Sequence, residues 1–293
     1  MKVKSGLAGK KFNAFDVVNY IILSLFALLA FYPFLYTIAG SLNDAQDAMK
    51  GPIWLIPRKF TWASYSVVLS DKRLYSSFFN TFTSTAITLF VALLLTSCVA
   101  YAVSNKRLRC KKFFWLANLI TMFIHGGMIP SYMVIVLTGL YDSFWVYVIP
   151  SCYSVFNMIV LSNFFKSIDD SLYEAAVVDG AGEIRIWLQI FMPLAKPALA
   201  TVGLWIAVSK WNSYMPTMLY TSKRNDIWLL QYYLMRLIRE GDLSGVDGKY
   251  YGEVSSGTLS FAAIIISTIP VLLAYPFVAK FFSKGIMMGS LKG

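Results

Sequence analysis

Charge is what this 293-residue sequence has least of: Asp, Glu, Lys and Arg make up 14% of it, against 57% hydrophobic residues. A water-soluble domain carries about 25% charged residues, so a chain this poor in charge cannot cover a water-facing surface. Histidine occurs once, as His125, and cysteine three times, as Cys98, Cys110 and Cys152. The cysteine spacings match neither a metal site nor a disulfide pair, and these residues are expected to be small, buried, apolar side chains. One histidine and three scattered cysteines form no catalytic constellation, which argues against a membrane-embedded enzyme. The chain also lacks the G-x-x-x-x-G-K-[ST] loop whose backbone amides would cradle ATP phosphates. Acids are missing from the apolar stretches as well, all 15 Asp and Glu lying at their ends or in loops. A proton-coupled carrier usually needs carboxylates or histidines within its helices, so this absence counts against an ATP-independent secondary carrier. His125, beside two glycines, reads as a packing or hydrogen-bonding residue.

What the sequence has in quantity is long apolar runs. Residues 17–40, 78–104, 143–165 and 254–279 carry no charge, 113–140 only His125, and 197–220 only Lys210. Each reaches the roughly 20 residues that an α-helix needs to cross the hydrocarbon core. The expectation is an all-α, polytopic membrane protein: one transmembrane domain over 1–293 with six transmembrane helices. The first run is too long for a signal-peptide core, and no small-residue cleavage pattern follows it.

Six spans put both ends on one side, and Lys and Arg say which. The short 105–112 loop holds Lys106, Arg107, Arg109, Lys111 and Lys112. Lys2, Lys4, Lys10 and Lys11 lie on the same side, whereas the opposite cations are spread over two long loops. Both termini are therefore expected to be cytoplasmic. The net charge of +11 is a topology signal, with no nucleic-acid partner implied.

Three segments between the runs are long enough to act. The external 43–77 stretch holds Pro52, Trp54, Pro57 and Trp62, an aromatic rim at headgroup level. The external 227–238 stretch, IWLLQYYLMRLI, reads as an amphipathic element, lying on the lipid surface or serving as a docking face. The cytoplasmic 166–196 segment is the most informative. Ser171 with Glu174 three residues on is a capping-box pattern, a short helix follows over 172–179, and Gly180 would end it in a left-handed conformation. A second apolar helix then leads to Pro193 and Pro197. Small residues on the short helix, Ala175 and Ala176, permit close approach of a partner. Such a helix buries little alone and makes most sense docked into another protein.

Lys210 is the one charge inside an apolar run, about 20 Å above Pro197 at 1.5 Å per residue. An intramembrane ammonium is costly and by default a functional candidate, the alternative being that it snorkels or binds helix carbonyls. It could attract carboxylates of an acidic solute, with Trp211 or Tyr214 offering a stacking plane and Asn212 a hydrogen bond. Adjacent helical residues point different ways, so these cannot all line one path. Tyr153 and Asn157, one helical turn apart, are further candidates.

Glu174-Ala175-Ala176, Gly180, Ile190 and Met192-Pro193 resemble the "EAA…G…I-LP" cytoplasmic loop of permease subunits of ATP-binding-cassette importers. Met192 stands where that pattern has Leu, a volume-conserving exchange, and Asp179 with Ala181 fits the "DGA" form of the carbohydrate branch. Phe60-Thr61, Asn80-Thr81, Gly126-Gly127-Met128-Ile129-Pro130, Trp211-Asn212 and the closing 284–293 stretch are similar to the subfamily that imports complex polysaccharide fragments, alginate among them. The resemblance implies that Leu172, Tyr173, Glu174, Ala175, Ala176, Asp179 and Gly180 couple the chain to ATPases. It implies a second, homologous permease, two ATPase subunits that bind ATP and Mg, an external solute-binding protein and an oligosaccharide substrate. It places the chain in a bacterial inner membrane, in contact with lipid.

Overall fold

The computed structural model describes residues 14–240 and 254–289, with side chains of the last helix followed to Leu273. Among the described residues the regular structure is helical, apart from an isolated antiparallel bridge between Asn43 and Phe60. The helices are α1 (Ala14–Ser41), α2 (Ala45–Ala48), α3 (Ala63–Ser70), α4 (Lys72–Ser104), α5 (Lys111–Phe123), α6 (Met128–Leu137), α7 (Val155–Lys166) and α8 (Asp170–Val178). They continue with α9 (Glu183–Ile186), α10 (Met192–Leu194), α11 (Lys196–Trp211), α12 (Met215–Tyr220), α13 (Leu230–Glu240) and α14 (Ser256–Gly289). Two 3₁₀ turns, Phe144–Tyr147 and Ile149–Ser151, precede α7, and a π turn over Trp187–Phe191 welds α9 to α10.

Among the described residues, three helices are long and apolar enough to cross a membrane: α1, α4 and the Ser256–Leu273 part of α14. Two of the other three expected spans fall on bent helix pairs, while the third bent pair, Glu183–Leu194 with Lys196–Trp211, starts before the expected 197–220 stretch and stops short of its end. Residues 113–140 divide into α5 and α6, turned by 111°. The cause is local: Gly127 takes φ 87°, a left-handed value that glycine reaches without strain, and Pro130 sits in the first turn of α6. His125 is exposed at this break. Residues 143–165 open with the two 3₁₀ turns around Pro150 and reach α7 through a 43° bend. Residues 197–220 stop being helical at Trp211 and resume with Pro216 in the first turn of α12. The Glu183–Leu194 helix meets α11 at 83°.

The expected single domain divides into two compact units, residues 1–68 with 246–266, and residues 69–245 with 267–293. In the first, α1 is exposed along its length until Ala39, Gly40 and Ser41. A Cβ on Gly40 would lie 2.5 Å from the Phe261 ring, so only glycine allows that approach. The turn after α1 is tightly bonded. Asp44 caps α2 and pairs with Lys59, and Arg58 grips Asp47 at 2.8 Å and the carbonyls of Asp47, Gly51 and Pro52. Lys59 and the α2 amides hold the Asp44 carboxyl below its ordinary range. Trp54 and Trp62 are exposed.

The second unit is built on α4. Thr81, Ser84, Thr88, Ala92, Thr96 and Ala100 recur on one buried face of it, and such small residues let helices approach closely. α7 and α11 lie along that helix. They contribute Met158, Leu161 and Phe165 from α7, and Ala198, Val202 and Ile206 from α11, to one apolar core. The 227–238 stretch is not a free amphipathic surface. Trp228, Leu229, Leu230, Tyr232, Tyr233, Leu234 and Leu237 are buried, the Leu230 amide donates to Thr81 Oγ1 at 2.8 Å, and the Tyr233 hydroxyl donates to Asp71 at 3.0 Å. Its apolar face is satisfied within the chain. The cysteines also depart from expectation: all three are free, and Cys98 and Cys110 are exposed rather than buried.

Candidate functional site

The 166–196 segment starts with α8. Its N-cap is Asp169, whose carboxylate accepts the Ser171 amide at 2.9 Å, so the expected Ser171–Glu174 capping box is displaced by an acid two residues earlier. At the other end Gly180 adopts φ 75°. The Ala181 amide reaches the Ala176 carbonyl at 2.9 Å and the Gly180 amide reaches Val177 at 3.0 Å, the paired bonds of a Schellman ending. The two alanines do not share a face. Ala176 is buried at 7% exposure in the core under α4 and α7, while Ala175 points outward with Leu172, Glu174, Val177, Val178, Asp179 and Gly180. Val178 is 87% exposed and Ile184 72%, leaving a short apolar ridge uncovered by this chain.

The other side of α8 is braced. Tyr173 is half-buried, with the Arg107 guanidinium 4.8 Å from its ring centre and 3.8 Å from Glu174. Lys106 pairs with Asp170, and that hydrogen bond holds the ammonium above its ordinary range. The first residue of α9, Glu183, accepts from two phenols: Tyr101 of α4 at 2.5 Å and Tyr173 of α8 at 2.6 Å. Nothing in the sequence pointed to Tyr101. Glu183, three residues beyond Gly180, stood in the motif region without a distinguishing pattern.

The second group of candidates lies around the end of α11. The Lys210 ammonium donates to the Tyr147 carbonyl at 2.9 Å and to the Ser151 hydroxyl, and so clasps the two 3₁₀ turns before α7. Trp211 is buried at 8% exposure, its indole N–H donating to the Ser267 carbonyl at 3.3 Å and its ring edge-on to Phe78. Asn212 and Tyr214 are exposed in the break between α11 and α12, and Gln231 donates to Asn212 at 3.4 Å. Tyr153 and Asn157 are not a turn apart on one helix, because α7 begins only at Val155. The Tyr153 hydroxyl donates to Asn118, and Asn157 is buried with its amide on the Ser154 hydroxyl at 3.4 Å. Below them Tyr147 is fixed by Thr217, Thr221 and the Ile227 carbonyl.

Residues 112–288 match the family described as binding-protein-dependent transport system inner membrane component. The polygalacturonan/rhamnogalacturonan transport system permease protein YtcP of Bacillus subtilis (strain 168) is 36% identical over 97% of this chain and 100% of its own length. Protein LplC of the same organism is 32% identical over 96% of each chain. Among solved structures, a chain of a bacterial ABC transporter involved in the import of the acidic polysaccharide alginate superposes with a TM-score of 0.86. It is 33% identical and is covered completely by 94% of this chain. The protein is therefore a member of the binding-protein-dependent transport system inner membrane component family, a multi-pass permease of the bacterial inner membrane.

Proposed function

We propose that this chain is the permease subunit of an ATP-driven importer of an acidic polysaccharide or its oligosaccharide fragments. It pairs with a second, homologous permease, receives substrate from an external binding protein, and is powered by two ATPase subunits that bind ATP and Mg. Each bent pair of helices counts as one span, giving six, with both termini cytoplasmic beside the cations of the 105–112 loop. Alternating access follows. ATP closes the ATPase pair, the docked α8 helices move with it, and the path opens outward. Because a ligand shifts an equilibrium only through differential affinity for its states, ATP and the loaded binding protein each favour the outward-open form.

The observation that carries this reading is the bare ridge of α8, with Leu172, Val177 and Val178 turned outward from a helix seated on its core by Ala176 and Tyr173. On the polar side of a membrane protein such a ridge is a docking face. The acidic substrate is supported by the alginate importer's likeness and by YtcP, whose named substrate, polygalacturonan, is a uronate polymer. Within the chain, two of the three Lys210 N–H donors are taken by Tyr147 and Ser151. The third, and the charge, remain for a carboxylate, with Asn212, Tyr214 and Tyr153 as neighbouring path groups. Trp211 and Asn157 are buried supports of that region.

The test is affinity purification of the tagged chain from its native membrane in mild detergent, with ATP hydrolysis assayed in the eluate. An ATPase should be recovered, and Val178→Asp should release it. Val178 is so exposed that the substitution costs the fold little, while an unpaired carboxylate in a buried protein interface weakens binding by several kcal/mol, a factor of about 10² or more. A chain that elutes with no ATPase would refute the reading.

A further inference from the structure

The docking face of α8 accounts for what touches an ATPase, but motion must also leave the helix on its other side. Few bonds are available to carry it. Lys106–Asp170 and Arg107–Glu174 join exposed side chains, the second at 3.8 Å, and exposed ion pairs hold little. Glu183 differs. Its carboxylate takes a hydroxyl from α8 at 2.6 Å and another from α4 at 2.5 Å, both charge-assisted hydrogen bonds of the stronger kind.

The α4 partner is fixed in place. Tyr101 is buried at 7% exposure, and its ring stands edge-on to Phe191 at 5.0 Å and to Phe165 at 6.4 Å, with those two rings 5.8 Å apart. The aromatic triad joins the inner end of α4 to α7 and to the π turn before α10. α4, an unbroken helix of 33 residues, runs outward from its Tyr101 end, whereas the bent spans of this unit would absorb displacement at their breaks. Glu183 itself opens the Glu183–Leu194 helix that leads into α11 and Lys210. One carboxylate thus lies where α8, α4 and the approach to α11 meet.

We propose that Glu183 is a positioning residue that locks α8 to the inner end of α4 through Tyr173 and Tyr101. A tilt imposed on α8 is thereby passed to α4 and α11 instead of being lost in the loop. This rests on the coupling role of α8 proposed above. The lock holds the geometry and takes no part in substrate binding or in ATP chemistry.

The experiment uses the complete transporter in proteoliposomes, with its binding protein and an acidic oligosaccharide, and reads substrate imported per ATP hydrolysed alongside the amount of ATPase that co-purifies. Tyr101→Phe keeps the aromatic triad and removes only the hydroxyl. It should leave ATPase recovery unchanged and lower import per ATP about tenfold, as loss of one charge-assisted hydrogen bond implies. Glu183→Gln should do the same, and the double substitution should be no worse than either alone, because both cut one link. Wild-type import per ATP in both single variants would overturn the proposal. So would a loss that merely followed a loss of co-purifying ATPase, which would reduce Glu183 to a support of the fold. Failure of the coupling reading is separable, because it shows as ATPase that Val178→Asp does not release, whatever Tyr101→Phe does.

Discussion

Two junctions of this permease use the same device, a single charged side chain making two hydrogen bonds to other segments, in opposite surroundings. At the α8 junction the charge is the exposed Glu183 carboxylate and both partners are phenols. At the end of α11 it is the half-buried Lys210 ammonium, on a backbone carbonyl and a hydroxyl. A carboxylate at a water-facing site can release a partner and be solvated, so its bonds are exchangeable. A half-buried ammonium at the end of a helix has less water to fall back on, and a bond it loses leaves the buried Tyr147 carbonyl unpaired. The first arrangement suits the coupling joint proposed for α8. The second suits a clasp that keeps two irregular turns and a helix end together while the path beside them is used.

The largest effect is expected from removing the clasp. Lys210→Met keeps the length of the side chain and deletes the charge, leaving the Tyr147 carbonyl without its donor. Loss of a charged hydrogen bond and exposure of an unpaired buried acceptor together cost about 2–3 kcal/mol, or roughly 4–10 °C in the unfolding midpoint for a chain of this size. Thermal unfolding of the detergent-solubilised complex checks this. Import should separate by charge as well, with an acidic oligosaccharide losing at least about tenfold more than a neutral one of equal length, the factor that corresponds to about 1.4 kcal/mol. Equal losses for both substrates would make Lys210 a clasp alone and remove it from the path.

The difference between the junctions also explains what could be read in advance. The three long apolar helices among the described residues were legible because hydropathy integrates over about 20 residues and tolerates local error. The bends were not, because Gly127 and Pro216 mark a break without stating its angle. The end of α8 was legible in one residue, since φ 75° at position 180 suits glycine. Its start was misassigned by two residues because Asp169 and Ser171 are both competent caps. Side-chain partnerships across long separations were hidden. Tyr147 lies 63 residues from Lys210, and Tyr101 lies 82 from Glu183, and one sequence carries no signal for such pairs. The burial of α13 was missed for the same reason, because an amphipathic helix looks alike whether its apolar face meets lipid, a partner or its own α4.

A smaller effect is expected at the α8 turn. Gly180→Ala puts a Cβ on a residue at φ 75°, with open space around it. The cost is therefore conformational only, about 1 kcal/mol, and it falls on the direction in which the chain leaves α8. ATPase recovery should fall severalfold with the unfolding midpoint little changed, and Gly180→Asn should restore most of it, because asparagine tolerates the left-handed region. If alanine and asparagine behaved alike, side-chain bulk at position 180 would matter rather than backbone hand.

The smallest effect should come from Lys106→Ala, which separates the α8 junction's lock from its ornament. Its partner Asp170 is as exposed as Lys106 itself, with side chains 61% and 78% accessible, so solvent and salt already compete for the bond. Asp170 holds the Lys106 ammonium above its ordinary range. Whatever stability the pair adds is thus present at neutral pH and would be lost only as pH rose through the raised value in strongly alkaline solution. At pH 7 the substitution should leave unfolding midpoint, ATPase recovery and import per ATP unchanged, at low and high salt alike. Tyr101→Phe, which removes a neutral hydroxyl from the same junction, should lower import per ATP. The larger charge change then gives the smaller effect, because what distinguishes the two is how firmly each partner is held. A drop in import per ATP for Lys106→Ala, disappearing at high salt, would instead make α8 an electrostatically steered element and shift its control from Glu183 to the 105–112 loop.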